Sequence, residues 1–99
     1  MRKINLIFDG VYDDADILLV PECIAEDTEK VMYEFGKWLL CAEEAKRFRT
    51  LNTPQGKFYE IGTDEFIWWL NNIKITEGTK ASIIKQHIEY DPLLPKAEL

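Results

Sequence analysis

The sequence predicts one α+β domain over residues 1–99, in which a small mixed or antiparallel sheet of three to five strands is packed by two helices in the order β-β-α-β-α-β. Three observations lead to this prediction. A chain of 99 residues has the size of a single domain. Two short apolar runs come first, and such runs predict strands. Two segments with helical periodicity follow, and a β-rich run succeeds each of them.

The first two strands are predicted over residues 4–8 and 17–20. The first run is apolar and stops at Asp9-Gly10, which is a turn signal. The second ends at Pro21, whose missing amide hydrogen interrupts a strand ladder. The connection between the two runs is acidic and predicts a solvent-exposed loop; its aspartates are Asp13, Asp14 and Asp16.

The first helix is predicted from about residue 27 to residue 48. Its apolar residues recur at steps of three and four, which places them along one stripe. They are Val31, Phe35, Trp38, Leu39, Ala42 and Ala45. Asp27 or Thr28 can cap its start. Gly36, in its middle, costs up to about 1 kcal/mol relative to alanine and indicates either a close approach to the sheet or a tolerated site.

The second half of the chain predicts a loop, a strand, a helix and a last strand. Residues 50–56 have loop composition, residues 57–61 favour a strand, and Thr63 is a good N-cap. A one-sided apolar stripe then predicts the second helix; it consists of Phe66, Trp69, Leu70 and Ile73. Residues 81–88 predict the last strand. Residues 91–99, which contain two prolines, are expected to be an extended or frayed tail.

Composition narrows the classes of function. The chain has 18 acidic and 12 basic residues and a net charge of −6 at pH 7. This balance argues against direct binding to nucleic acid or to an anionic membrane, because phosphate contacts need a basic face. Each apolar run is well below the ~20 residues of a membrane span. The apolar run near the start of the sequence is also too short for the apolar segment of a signal peptide. We therefore expect a cytoplasmic protein with reduced thiols at Cys23 and Cys41.

Motifs of known active sites are missing from the sequence. Two cysteines and the single histidine, His87, cannot form a four-ligand zinc site from Cys and His alone. Gly78-Thr79-Lys80 lacks the upstream glycine of a phosphate-binding loop. Ser82 and His87 are five residues apart in a predicted strand and should point to opposite faces, so His87 is interpreted as an ordinary strand residue. We predict no enzyme activity, no cofactor and no metal.

The acidic loop leaves one catalytic alternative open. Phe8-Asp9-Gly10-Val11 resembles the nucleophile loop of haloacid-dehalogenase phosphatases. Ile7 stands where that pattern needs another aspartate, and the chain is too short for that fold. A small metal-dependent hydrolase that uses aspartates of the loop 9–16 therefore remains the alternative from a different functional class.

The first third of the chain is strongly acidic. Residues 4–29 contain no lysine or arginine and carry a charge of −8, whereas the rest of the chain sums to +2. The eight acids are Asp9, Asp13, Asp14, Asp16, Glu22, Glu26, Asp27 and Glu29. Clustered like charges repel, and a basic partner would relieve that repulsion and be steered toward them. The other interpretation is an acidic surface that only keeps the protein in solution.

Two aromatic residues lie away from the apolar stripes of their predicted helices. Trp68 lies opposite the stripe of the second helix at ~100° per residue, and Tyr33 lies opposite the stripe of the first. Exposed aromatic side chains are enriched in the centres of interfaces. We therefore predict packing contacts with a partner at both residues.

The order of these features resembles the small acidic immunity proteins of bacterial toxin systems, such as those of contact-dependent growth inhibition. The residues that carry the resemblance are Asp16-Ile17-Leu18-Leu19-Val20-Pro21, then Glu34-Phe35 and Trp38-Leu39, then Phe66-Ile67-Trp68-Trp69-Leu70-Asn71. The resemblance covers about the middle two-thirds of the chain. It implies a cytosolic protein that blocks a cognate toxin, often a basic nuclease. Because immunity proteins share no binding motif, it implies no role for any particular residue.

These observations lead to one functional hypothesis. The protein is expected to be a non-enzymatic immunity or inhibitor protein that docks, steered by charge, onto a basic, nuclease-like toxin. Its predicted partner-binding residues are Asp13, Asp14, Asp16, Glu22, Glu26, Asp27, Tyr33 and Trp68. A phage-type inhibitor that mimics nucleic acid is a further alternative. The oligomeric state and the strand order stay open.

Overall fold

The computed structural model describes residues 1–8, 10–48, 51–53, 56–58 and 62–98. It confirms the predicted α+β class, with a four-stranded mixed sheet covered by helices. The strands are β1 (Arg2–Ile7), β2 (Ala15–Val20), β3 (Leu51–Thr53), β4 (Gly56–Phe58), β5 (Ser82–Ile88) and β6 (Lys96–Glu98). The helices are α1 (Glu22–Glu26), α2 (Thr28–Cys41) and α3 (Thr63–Trp69). A 3₁₀ helix, Glu43–Phe48, follows α2, and a π-helical turn, Leu70–Lys74, follows α3.

The four-stranded sheet has the order β5-β2-β1-β6. Strand β1 runs antiparallel to β2, with Ile4 opposite Leu18, and β5 pairs antiparallel with the other side of β2. Strand β6 runs parallel to β1, with Leu6 opposite Ala97. The pairing of β2 with β5 shifts register on both sides of Ile17, so the two strands are irregular at the end that holds the start of β2. The core lies where this sheet meets α2 and α3.

The helical part of the chain differs from its prediction in two places. Residues 22–26 form α1, a short helix that the sequence analysis did not anticipate. The predicted helix 27–48 is interrupted at Ala42, whose extended backbone ends α2, and the chain continues as the 3₁₀ helix. Of the two interpretations of Gly36, the close approach to the sheet is contradicted, because a Cβ atom added there would meet no atom within 4 Å, and a tolerated glycine is left.

The central segment also differs from its prediction. Strands β3 and β4 pair antiparallel in a separate two-stranded sheet, so residues 51–53 are a strand where a loop was expected. The predicted strand 57–61 overlaps β4, and residues 59–61 lie outside the described residues. Gly62, not Thr63, occupies the N-cap of α3, and its amide donates to Glu65 Oε2 at 2.9 Å. The Thr63 hydroxyl is therefore available for a hydrogen bond with another part of the fold.

The last residues belong to the sheet. Within the segment expected to be an extended or frayed tail, residues 96–98 form β6, and Ala97 is 2% exposed. Buried Asn5 holds the preceding turn: its Nδ2 donates to the Asp91 carbonyl, and the Asp91 amide donates to its Oδ1, both at 2.8 Å. Because these hydrogen bonds satisfy a buried amide, they fix the chain beside β1.

Candidate functional site

Three elements meet in a cleft at the end of the sheet where β2 begins. The loop before β2 supplies Asp14, the end of β5 supplies His87, and the start of α3 supplies Asp64. The cleft has a volume of about 230 Å³. Its ionisable residues are Asp14, Asp16, Asp64, Glu65 and His87. We call this site the acidic cleft.

Asp16 is the structural centre of the acidic cleft. It is 5% exposed, accepts a hydrogen bond from the Thr63 hydroxyl, and accepts another from the His87 amide at 3.1 Å. One carboxylate therefore joins β2 to both α3 and β5. The prediction that Asp16 lies on an exposed docking surface is wrong, because β2 is an inner strand and is buried along most of its length.

His87 has an unusual backbone and an exposed ring. Its φ of 57° is in the left-handed region, which costs a non-glycine residue about 1–2 kcal/mol. The Asp16 hydrogen bond holds this backbone, and Nδ1 of the ring lies 2.8 Å from Asp14 Oδ1. The hydrogen bond and the negative charge of Asp14 raise the pKa of His87. The sequence analysis missed this pair, since Asp14 and His87 are 73 positions apart.

The chemistry of the acidic cleft favours a cation. Four carboxylates of the described residues line the cleft with one imidazole, so their summed charge is negative whether or not His87 is protonated. Carboxylates accept charge-assisted hydrogen bonds from guanidinium and ammonium groups, and arginine can engage a carboxylate through two parallel bonds. Asp64 is exposed and gives an incoming group direct access. The arrangement can therefore hold an arginine or lysine side chain of a partner.

The other predicted acids do not share this cleft. Glu22 follows the far end of β2 and lies 3.7 Å from Arg2, so the length of a six-residue strand, roughly 17–20 Å, separates it from the start of β2. Asp27 caps α2 by accepting the Lys30 amide at 3.2 Å. Asp13 and Glu26 are exposed. The start of α2 lies against β6, where the Thr28 hydroxyl donates to the Lys96 carbonyl at 2.8 Å. The described acids of the first third are thus spread over several parts of the fold rather than gathered on one surface.

The two predicted aromatic anchors differ in exposure. Tyr33 is 71% exposed on the outer face of α2, as expected from its position on the helix. Trp68 is half-buried: its ring centroid lies 5.9 Å from that of Trp38, and it packs against the core. The prediction that Trp68 is an exposed anchor is wrong. It was made from the periodicity of its own helix alone, and α2 covers that side of α3.

The metal alternative finds no ligand cluster in the described part of the chain. There, no group of three or more His, Cys, Asp or Glu residues is arranged to hold a metal ion. Asp9, the first aspartate of that hypothesis, lies outside the described residues.

Cys23 and Cys41 are both free thiols and exposed. None of the described helices combines the length and apolarity needed to cross a membrane.

Comparison with known proteins gives no relative. No family model matches the chain, and neither a curated protein nor a solved structure matches it.

Proposed function

We propose that this protein is a non-enzymatic immunity or inhibitor protein of the cytoplasm that binds and neutralises a basic, nuclease-like protein toxin. The observation that carries the proposal is the acidic cleft, where four carboxylates from the β1–β2 region and α3 line one site together with His87 of β5. A site of this charge suits the cationic side chains with which a nuclease binds phosphates. Blocking those side chains would prevent the toxin from binding its substrate.

Docking proceeds in two steps in this proposal. The net charge of −6 attracts a basic protein over long range and raises its association rate. An arginine or lysine of the toxin then enters the acidic cleft and bonds to Asp64 and Asp14. Asp13, one residue from Asp14 and exposed, extends the negative surface at the rim.

The aromatic contribution to docking is narrower than the sequence alone suggests. Tyr33 keeps the exposure that a packing contact needs, whereas Trp68 does not. Tyr33 lies on α2, which does not line the acidic cleft. It therefore belongs to a second contact region of the proposed complex.

The experiment is an inhibition assay with the basic protein encoded next to this chain's gene. The purified chain should suppress the nuclease activity of that protein at a one-to-one ratio. Asp64→Lys should weaken the inhibition, because it places a cation inside the cleft. Glu77→Lys, an equal change of charge in an exposed turn outside the cleft, is the matched control.

Two results would contradict the proposal. The first is full nuclease activity in the presence of excess wild-type chain. The second is equal inhibition by the wild type and by Asp64→Lys, which would separate inhibition from the acidic cleft. If the chain competes with nucleic acid for the toxin's groove, the nucleic-acid-mimicking form of inhibition is favoured.

A further inference from the structure

His87 places a titratable cation inside the site that is proposed to receive a cation. Its ring Nδ1 is 2.8 Å from Asp14 Oδ1, and both residues line the acidic cleft. A protonated imidazole is a cation with two N–H donors, as an arginine side chain is a cation with five. His87 and an incoming side chain therefore use the same carboxylate.

The position of this histidine is fixed by the backbone rather than by the ring. The His87 amide donates to buried Asp16, and its left-handed φ of 57° lies where the pairing of β5 with β2 shifts register. The ring itself is 78% exposed. Losing the bond to Asp14 therefore leaves the backbone anchor in place, and the ring can give up Asp14 without unfolding the strand end.

Among the described residues, the charges that line the cleft with His87 come from two other parts of the fold and are negative. The β1–β2 region supplies Asp14 and Asp16, and α3 supplies Asp64 and Glu65. Two further charged residues lie near His87 in the sequence: Lys85 in β5 and Glu89 just after the strand. Both are exposed, and their charges are of opposite sign. Histidine is the side chain whose ordinary change of charge falls near neutral pH, so the protonation of His87 is the event that alters the cleft there.

We infer that His87 acts as an internal, pH-dependent competitor for the cation site, so that the acidic cleft binds a guanidinium more tightly when His87 is neutral. This inference rests on the proposed function of the cleft and adds its regulation. When His87 is protonated, it occupies Asp14 and lowers the negative charge of the cleft. When it is neutral, no positive charge stands beside Asp14 to oppose the incoming guanidinium, and the charges of the four carboxylates act on it in full.

The effect follows from linkage. A bound guanidinium disfavours a second cation beside Asp14, so binding lowers the pKa of His87 and loss of the proton favours binding. Two unit charges about 4 Å apart in water repel enough to change an affinity about fivefold. We expect affinity to rise by about this factor as the pH increases through the pKa of His87.

The test uses N-acetyl-arginine amide as the probe and the full chain. His87 is the only histidine, so its ring resonances can be followed by NMR without ambiguity. The probe should bind about fivefold more weakly at pH 5.5 than at pH 8, and saturating probe should lower the pKa of His87. N-acetyl-glutamine amide, which carries no charge, is the control and should shift neither quantity.

Two variants separate the outcomes. His87→Asn stays neutral at every pH and suits a left-handed backbone, so it should bind the probe equally at both pH values. His87→Lys stays charged and should bind weakly at both. The inference is overturned if His87→Asn retains the pH dependence of the wild type, or if the wild type binds the probe equally at both pH values. If neither the wild type nor His87→Asn binds the probe at pH 8, the cation site itself fails, and the proposed function with it.

Discussion

The two ends of strand β2 use the same kind of residue in different ways. At the start of the strand, Asp16 is buried and joins three elements through hydrogen bonds to Thr63 and His87. Beyond its far end, Glu22 is exposed and forms a 3.7 Å ion pair with Arg2. In the sequence the two are part of one acidic stretch. In the fold, one carboxylate shapes a site, and the other contributes charge to the surface.

The difference shows what an acidic stretch can and cannot indicate. Its summed charge governs long-range attraction, which depends little on how each side chain is held. A binding site depends on which carboxylates converge, and here the convergence comes from pairing β2 with β5 and from placing α3 beside it. We therefore assign the proposed partner contact to the cleft end of β2 rather than to the whole N-terminal third.

The largest expected effect is on Asp16. Asp16→Ala leaves the Thr63 hydroxyl and the His87 amide without their acceptor, and a loss of roughly 2–4 kcal/mol in the free energy of unfolding is expected. Asp16→Asn, which keeps an acceptor oxygen, should cost less. Glu22→Ala should change stability by less than about 0.5 kcal/mol. Urea unfolding measures the stability of all three variants. If Asp16→Ala costs as little as Glu22→Ala, the two ends of β2 do not differ in the way described.

A smaller effect is expected at the start of α2, where Asp27 caps the helix away from the cleft. Asp27→Ala removes the acceptor of the Lys30 amide and should cost about 1 kcal/mol. Its neighbour Glu26 is exposed, and Glu26→Ala should cost much less. If both substitutions have the same effect in thermal unfolding, the cap contributes nothing beyond surface charge.

The sequence predicted the elements that short-range patterns define. The apolar runs at 4–8 and 17–20 correspond to β1 and β2, and the stripe containing Val31, Phe35 and Leu39 faces the core, where all three are buried. The last strand was also predicted. These features depend on side-chain periodicity, which is local to each element.

What the sequence did not predict depends on contacts between distant residues. Strand β6 exists because the turn at Asp91 is held by Asn5, 86 positions earlier. The Asp14–His87 pair spans 73 positions. Trp68 is covered by Trp38 of another helix. No local pattern marks such pairings, so the acidic residues were predicted but their arrangement around His87 was not.

The smallest expected effect is the pH dependence of stability. Asp14 raises the pKa of His87, so the protonated ring stabilises the fold. That contribution is fully present below the pKa of the unfolded histidine and disappears as the pH rises through the higher pKa of the folded state. An NMR titration should give a midpoint above the ordinary 6.5, and Asp14→Asn should bring it back. A midpoint that Asp14→Asn does not move would show that the pair does not form.

The central claim is that the cleft end of β2 receives the basic partner. Stopped-flow association with the neighbouring gene's product at low salt compares the two ends directly, through Asp64→Lys in the cleft and Glu22→Lys beyond the far end. Both variants change the net charge by the same amount. We predict a several-fold slower association for Asp64→Lys and a slowing of at most about twofold for Glu22→Lys, because both lose the same net charge but only Asp64 lies in the cleft. Equal slowing by both would contradict the account, because it would show that overall charge alone guides the partner and that the acidic cleft adds nothing.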